Sequence, residues 1–197
     1  MKKSYFTREE QIILSAIDLI DKLGIDGLSI RELAKKENVT EGALYRHFKS
    51  KNDIIIEVIK YYSHFDINII NTINKNELNA KHAILFFINS FSEYYENYPE
   101  ITAVFCSFES LIYDHDIENE ILLLINKRSD FLISIIENGK KSMEFNDSVI
   151  SEDLADIIMG SFQHLIFKWR IEKHKFSLKR KALDMINLIL RSAMLSE

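Results

Sequence analysis

The 197-residue sequence predicts an all-α protein, in which a small three-helix N-terminal domain is joined by a long helix to a larger helical domain. The chain contains only one Pro and five Gly, so few positions carry residues that end helices or form tight turns. Apolar residues recur at positions i, i+3 and i+4, which is the period of an amphipathic helix. We predict domains over residues 1–52 and 53–197.

The first two helices are delimited by their capping residues. The first is predicted over residues 7–23 and ends at Gly24, since glycine readily adopts the left-handed conformation of a helix C-terminus. The second begins after Ser29, a good N-cap, and Glu32 three residues later completes a capping box. It stops near Asn38, which also tolerates the left-handed conformation.

The third helix is short and follows directly. Thr40 is its N-cap, and it is predicted to run over residues 41–48 with Leu44 and Phe48 on its apolar face. The opposite face carries small and polar residues, namely Thr40, Glu41, Ala43, Tyr45 and His47. The free N–H groups of a helix N-terminus beside such residues suit contact with phosphates and with the major groove of DNA.

The rest of the chain is also predicted to be helical. Further helices are predicted over residues 50–74, 80–97, 99–113, 117–138, 152–172 and 177–194. The helix at 50–74 is too long to belong only to a three-helix domain, so it links the two domains. Pro99 fits the first turn of its helix, where the missing N–H has no intrahelical partner.

Residues 28–53 resemble the DNA-binding domain of the TetR (tetracycline repressor) family. The resemblance lies in residues 30–34, 39–48 and 49–54, above all in Leu-Tyr-x-His-Phe-x-Ser-Lys directly after a Val-Thr-x-Gly turn. Asn38 stands where the family often has a Gly, and it can make the same turn. Glu41 is an acidic departure that either repels phosphate or accepts a hydrogen bond from cytosine N4.

The resemblance implies a homodimer that binds a palindromic operator in double-stranded DNA. The DNA-binding residues that it implies are Ser29, Arg31, Thr40, Glu41, Gly42, Ala43, Tyr45, Arg46, His47 and Lys51. Among these, Tyr45, His47 and Lys51 are expected to contact phosphates. The first residues of the third helix are expected nearest the base edges.

The charge distribution agrees with a DNA-facing N-terminal domain. The net charge is −5, yet residues 1–52 hold 10 Lys and Arg against 8 Asp and Glu. The remainder holds 15 Lys and Arg against 22 Asp and Glu, so DNA would repel it. An asymmetry this small often arises by chance, so it supports the motif without standing alone.

The last two predicted helices are apolar over more than one face. They are either buried within a single domain or covered by a second copy in a four-helix bundle, and a palindrome-reading protein needs two copies. The residues predicted for the dimer interface are Leu154, Ile158, Ser161, Leu165, Ile186, Ile189 and Leu190. The family resemblance implies the same C-terminal helix pair.

Aromatic residues are concentrated in the middle helices, where they form plain core or line a ligand cavity. The residues predicted for a pocket are Tyr61, Phe65, Phe87, Phe91, Tyr94, Phe105, Phe108, Glu109 and Phe131. Few basic residues occur there, so we expect a mainly apolar small-molecule effector.

Other functional classes are less well supported. No phosphate loop, nucleophile elbow or metal-ligand spacing occurs, so no cofactor, metal or catalytic residue is predicted. The single Cys, the lack of an apolar signal sequence at residues 1–10 and short apolar runs predict a cytoplasmic protein that does not bind membranes. The sequence therefore predicts a transcriptional repressor released by a small apolar ligand. The alternatives are a DNA-bound dimer controlled by a protein partner and a helical enzyme with a vestigial helix-turn-helix.

Overall fold

The computed structural model describes residues 6–194, so the first five residues of the N-terminal stretch lie outside the described part. The chain folds into two compact units. The first contains the chain up to Phe65 together with Tyr98–Leu123, and the second contains Asp66–Asn97 and the chain from Leu124 onward. The predicted functional division after residue 52 stays a prediction.

The described residues form helices and one isolated β-bridge, between Phe145 and Met194, so the all-α prediction is confirmed. In chain order the helices are α1 (Arg8–Gly27), α2 (Ile30–Lys36), α3 (Glu41–Leu44), α4 (Lys51–Lys75), α5 (Ala80–Asn97), α6 (Thr102–Cys106), α7 (Phe108–Leu111), α8 (His115–Lys141), α9 (Ser151–Ile171) and α10 (Leu178–Ala193), with a 3-10 turn at Pro99–Ile101 before α6. Both α4 and α8 begin in the first unit and end in the second.

The predicted helix boundaries near the N-terminus follow from backbone geometry. Gly24 has a φ of 72° and interrupts α1, after which one more turn continues to Gly27. Asn38 has a φ of 53°, as expected for the residue that ends the turn between α2 and α3. The Ser29 hydroxyl accepts a hydrogen bond from the Glu32 N–H and so caps α2.

Two predicted helices are shorter or more broken than expected. α3 ends at Leu44 instead of residue 48, because the His47 N–H bonds to the Leu44 carbonyl and tightens the chain into a turn. The single helix predicted at 99–113 is a 3-10 turn followed by α6 and α7. There the hydroxyl of Ser107 donates to the Ala103 carbonyl, a local bond that competes with regular helix geometry.

Each unit has its own core. In the first unit α1 packs against α2, α6 and the 3-10 turn, and α2 packs against α3. In the second unit α10 packs against α5 and α9. Burial of Ile17 and Leu33 in the first unit and of Phe87 and Ile186 in the second marks the two apolar interiors.

Candidate DNA-binding and dimerisation surfaces

One face of α3 is packed against the core of the first unit, and the opposite face is exposed to solvent. Leu44 and Phe48 are buried under it, as predicted, and the Thr40 hydroxyl accepts a hydrogen bond from the Ala43 N–H and caps its start. A Cβ atom added to Gly42 would meet no atom within 4 Å. The first turn of α3 is therefore accessible to another macromolecule.

Most residues predicted to bind DNA lie at the surface. Those classed as exposed are Arg31, Thr40, Glu41, Gly42, Tyr45, Arg46 and His47. The Tyr45 side chain is 53% exposed even though it follows a helix whose other face is buried. Ala43 and Ser29 are half-buried, and Ser29 is used as the cap of α2. The structure thus brings most of the set together around α3 and at the exposed side of α2.

Lys51 has a structural contact that the sequence did not reveal. Its Nζ donates a hydrogen bond of 2.9 Å to the Ile25 carbonyl, in the last turn of α1. A cation at a helix C-terminus is favourable because the free carbonyls there carry partial negative charge. Lys51 therefore ties the start of α4 to the end of α1, whatever else it contacts.

His47 lies at the edge of a polar groove of about 480 Å³ in the first unit. Its Nδ1 is 3.4 Å from the Glu9 carboxylate of α1. Asp53, Glu57 and Lys60 of α4 also line this groove. The groove is largely acidic, so the cationic surface expected to face DNA does not extend into it.

Two ion-pair clusters fix α2 against α1. Arg8 pairs with Glu37 at 2.7 Å. Asp18 pairs with Lys36 and, at 2.9 Å, with Lys22. The Lys36 ammonium, followed by the Lys22 ammonium, holds the pKa of the Asp18 carboxyl below its ordinary value. These contacts fix the orientation of α2 on α1, and α2 in turn packs against α3.

In the second unit an ion pair lies within an aromatic cluster. The Nε and Nη2 atoms of Arg128 on α8 each donate a 2.8 Å hydrogen bond to the carboxylate of Asp66 on α4. The guanidinium lies 4.5 Å from the centre of the Phe91 ring of α5. Phe91 is also in contact with Phe87 and Tyr95. Three helices therefore meet at one charged pair.

The residues predicted for a ligand pocket are divided between the two units. Tyr61, Phe65, Phe105, Phe108 and Glu109 lie in the first unit, and Phe87, Phe91, Tyr94 and Phe131 lie in the second. In the first unit Phe105 and Phe108 make an edge-to-face contact. In the second, Phe87 contacts Phe131. Glu109 is exposed, while Phe87, Phe91 and Phe108 are buried.

Most residues predicted for the dimer interface are buried within their own chain. Those buried are Leu154, Ile158, Leu165, Ile186 and Leu190, while Ser161 and Ile189 are half-buried. The solvent-facing side of α9 instead carries Ile157, Gly160, His164, Phe167 and Ile171, and we call this set the α9 stripe. On the neighbouring surface an open groove of about 700 Å³ is lined by Leu165, Phe176, Met185 and Leu188, among others.

Two family models match almost the whole chain. Residues 12–58 match the model of bacterial regulatory proteins of the tetR family. Residues 61–192 match the model of the C-terminal region of YsiA-like proteins, a TetR C-terminal domain. The chain belongs to the TetR family. It is therefore a DNA-binding transcriptional regulator and not an enzyme, as the sequence predicted.

Relatives of this TetR-family chain match more than nine-tenths of its length. It is 23% identical over 199 residues to an HTH-type transcriptional regulator of Staphylococcus aureus, SAB2452, and 96% of each chain is covered. Its fold is similar to that of FadR from Bacillus subtilis, solved in complex with stearoyl-CoA, with a TM-score of 0.83, 20% identity and coverage of 93% and 98%. It is also similar to the ketosteroid regulator KstR2 of Mycobacterium tuberculosis, with a TM-score of 0.81, 12% identity and 98% coverage of each chain.

Among the described residues of this TetR-family protein, no helix combines the length and the apolar content that crossing a membrane requires.

Proposed function

We propose that this protein is a cytoplasmic homodimeric repressor that binds a palindromic operator and is released from it by a small, mainly apolar effector. Two copies of α3 would engage successive major grooves, about 34–36 Å apart or a multiple of that distance. The effector would act by binding one conformation of the dimer more tightly than the other, since a ligand with equal affinity for both shifts nothing.

The exposed apolar side of α9 is the observation that carries the proposal. Ile157 is 55% exposed, Phe167 52% and Ile171 65%, all on one side of a helix whose other side is buried. A contiguous apolar surface of this kind favours contact with another protein surface. A second copy would cover it and supply the second α3 that a palindrome requires.

The aromatic content of both units supports an apolar effector. Phe87, Phe91, Tyr95 and Phe131 form a continuous set of ring contacts in the second unit. One structural relative, FadR, was solved in complex with stearoyl-CoA, and another, KstR2, is a ketosteroid regulator. The stearoyl chain and the steroid skeleton are both apolar, which agrees with the expected chemistry, whereas the CoA group is strongly anionic and is not part of that expectation.

α4 offers a route by which an effector could alter DNA binding. It is one continuous helix, Lys51–Lys75, whose N-terminal part belongs to the unit with α3 and whose C-terminal part contains Asp66 of the second unit. A shift of α4 caused by ligand binding in the second unit would change the position of residues near α3. Coupling of this kind has a typical strength of about 1–3 kcal/mol.

Selection from random double-stranded DNA tests the operator part of the proposal. We expect a two-fold symmetric consensus, bound by two copies of the chain. The Tyr45→Ala, Arg46→Ala variant is the matched loss-of-contact control, because both side chains are exposed and contribute little to the core. A consensus without two-fold symmetry would refute the palindrome.

Titration of the selected operator complex with stearoyl-CoA, free stearate and a ketosteroid tests the effector part. Release by any of these probes at micromolar concentration supports an apolar effector, and comparison of the first two separates the acyl chain from the CoA group. A complex that resists all three would contradict effector release by these classes and favour control by a protein partner.

A further inference from the structure

Positive charge is concentrated in one short segment of this acidic protein. Residues 168–181, which we call the basic turn, contain seven Lys and Arg and one carboxylate. They hold almost half of the 15 Lys and Arg found beyond residue 52, and outside them residues 53–197 have 8 Lys and Arg against 21 Asp and Glu. The basic turn runs from the end of α9 to the first turn of α10. Its charge is therefore opposite to that of the sequence around it.

The helix dipoles account for only part of this charge. Lys168 and Arg170 lie in the last turn of α9, where cations are favourable. Lys179, Arg180 and Lys181 lie in the first turn of α10, which contains no acidic residue. Positive charge is unfavourable at a helix N-terminus, because the free N–H groups there carry partial positive charge. Cations at a position that disfavours them indicate a role outside the helix itself.

The backbone of the basic turn has a defined conformation. The Trp169 indole N–H donates a 2.9 Å hydrogen bond to the Phe176 carbonyl, and the His174 N–H donates a 2.8 Å bond to the Trp169 carbonyl. The centre of the His174 ring lies 4.1 Å from that of Trp169. Lys173 and His174 both have left-handed φ angles, 52° and 59°, which Gly or Asn adopts more easily. These contacts hold the segment that carries the cations in one arrangement.

Several cations of the basic turn are available to a partner. Lys173, Lys175 and Arg180 are exposed, and none of the three forms an ion pair within residues 6–194. Lys179 differs from them, since it pairs with Glu93 of α5. The basic turn therefore presents at least three uncompensated positive charges to solvent.

The basic turn is fastened to the end of α5. The Ser177 hydroxyl donates a 3.0 Å hydrogen bond to the Glu96 carboxylate, which also accepts a 3.1 Å bond from the Lys179 backbone N–H. α5 ends one residue after Glu96, and the chain then enters the first unit at Tyr98. The basic turn is thus bonded to the end of α5 from which the chain continues into the unit that contains α3.

The chemistry of the basic turn favours a nucleic-acid backbone over a lipid surface. Segments that bind membranes present large apolar side chains beside their cations. Here Ile171 is the one large apolar side chain of the turn that is exposed, while Phe176 is half-buried and its ring centre lies 5.1 Å from the Lys181 ammonium. Clustered Lys and Arg bind phosphates of duplex DNA without reading its bases. DNA is also the polyanion that a member of this family already binds.

We infer that the basic turn is a second DNA-contacting surface, which binds backbone phosphates of the duplex held by α3 and adds affinity that does not depend on sequence. This inference goes beyond the proposed function, because it requires neither a palindrome nor an effector. The cations of the turn would also offset the repulsion between DNA and the acidic remainder of residues 53–197.

The salt dependence of DNA binding by the full-length chain tests the inference. The neutralised variant carries Lys173→Gln, Lys175→Gln and Arg180→Gln, and its affinity is measured by fluorescence anisotropy for the selected operator and for a scrambled duplex of equal length. We expect the slope of log affinity against log salt to fall by about one for each lost phosphate contact, or about two to three per chain. Affinity at fixed salt should fall about tenfold, by the same factor on both duplexes, because phosphate contacts carry no base information.

Two further proteins complete the test. The matched control carries Lys75→Gln, Lys127→Gln and Lys141→Gln, which remove the same charge from exposed positions of α4 and α8 and should leave the salt slope unchanged. A charge-conserving variant, in which Lys and Arg are exchanged at the three positions of the basic turn, should retain the wild-type slope. Together they separate a local phosphate contact from an effect of net charge and from damage to the fold.

The contrary outcomes are distinct. An unchanged slope in the neutralised variant overturns the inference, and so does an equal loss of slope in the control, since net charge would then explain both. Binding of the wild type but not of the neutralised variant to phosphatidylglycerol vesicles, with an unchanged slope on DNA, would assign the turn to an anionic membrane surface. If the wild type does not distinguish the operator from the scrambled duplex, the proposed operator binding fails, and the slopes on the scrambled duplex decide the role of the basic turn separately.

Discussion

Asp66 and Arg128 form a bidentate ion pair in the interior of the second unit, 62 residues apart in sequence and 2.8 Å apart at both hydrogen bonds. The Asp66 side chain is fully buried and that of Arg128 is 8% exposed. Asp66 is also the first residue of α4 in the second unit. The pair thus fastens α4 to α8 where α4 enters that unit.

The free energy needed to break this ion pair indicates that it stays formed when an effector binds, and that it is not the contact that changes. Removal of one partner from a buried ion pair typically costs about 3–5 kcal/mol, because the other charge is left buried and uncompensated. Coupling between two sites in a protein is typically worth about 1–3 kcal/mol. An effector of ordinary coupling strength therefore shifts other contacts of α4 before it breaks this pair.

The first prediction concerns the stability of this pair. Arg128→Met should lower the free energy of unfolding by about 3–5 kcal/mol, measured by urea denaturation. The double variant Asp66→Leu with Arg128→Met should recover most of that loss, since neither charge remains. If the double variant were as unstable as the single one, the loss would come from packing of the Arg128 stem against Phe91 and not from an unpaired carboxylate.

The sequence predicted the helices better than it predicted their contacts. The apolar period and polar ends of residues 80–97 predicted α5 at its observed bounds. The Asp66–Arg128 pair was not predictable, because nothing local links residues 62 positions apart. The faces of α9 were also not assignable from sequence, since Ile157 and Ile158 are equally apolar, and only packing of the second unit buries one and exposes the other.

In the α3 region, too, the sequence predicted the helix and its buried residues but not every contact. Its caps and its buried Leu44 and Phe48 follow from residue types, so the exposed surface was predictable. Its end at Leu44 depends on one backbone hydrogen bond of the following turn. The bond from Lys51 to the Ile25 carbonyl depends on how α4 meets α1, which no local pattern indicates.

The second prediction concerns the Tyr45 hydroxyl. Tyr45→Phe should weaken binding to every operator sequence by a similar factor, about three- to tenfold, because a phosphate contact carries no base information. Unfolding should be unchanged, since the side chain is largely exposed. Tyr113→Phe is the matched control, because Tyr113 is 88% exposed in the same unit and is not predicted to contact DNA. Equal effects of the two substitutions on operator affinity would refute the phosphate contact.

The third prediction separates two roles of Lys51. Lys51→Ala should reduce the salt dependence of operator binding by about one unit of slope if its charge contacts a phosphate. It should also lower the free energy of unfolding by about 0.5–1.5 kcal/mol, because the Ile25 carbonyl loses its hydrogen bond. Lys35→Ala, at an exposed position of α2, should leave unfolding unchanged. A lower stability with an unaltered salt slope would assign Lys51 a structural role only.

The fourth prediction concerns pH and the Asp18 cluster. The pKa of Asp18 is lowered from 3.8, mainly by the hydrogen bond from Lys36 and then by that from Lys22. Because the folded-state pKa is below the unfolded-state value, the stabilisation is complete above about pH 4 and is lost as the pH falls through the folded-state pKa. Asp18→Asn should therefore destabilise the protein at pH 7, and the difference from the wild type should shrink below pH 4. Asp26→Asn, an exposed change in the same helix, is the control, and an Asp18→Asn effect that stays constant down to pH 3 would contradict the assignment.

The last prediction contrasts two helical glycines of the second unit. A Cβ on Gly139 would lie 2.6 Å from the Ala80 Cβ and would also collide with the Phe145 ring, whereas a Cβ on Gly160 would meet nothing within 4 Å. Gly139→Ala should therefore destabilise the chain by about 1–3 kcal/mol in urea denaturation, through overpacking between α5, α8 and the segment at Phe145. Gly160→Ala should not destabilise the isolated chain, and its better helix propensity should add up to about 1 kcal/mol.

The order of the two variants should reverse when dimer affinity is measured in place of stability: Gly160→Ala should have the larger effect and Gly139→Ala the smaller. If α9 crosses its copy near Gly160, the added methyl separates the backbones, and Gly160→Ala should weaken the dimer in sedimentation experiments while the folded chain is as stable as the wild type. Gly139, buried in its own chain, should affect the dimer only through loss of folded protein. A Gly160→Ala chain that dimerises with wild-type affinity would move the crossing point away from the middle of α9.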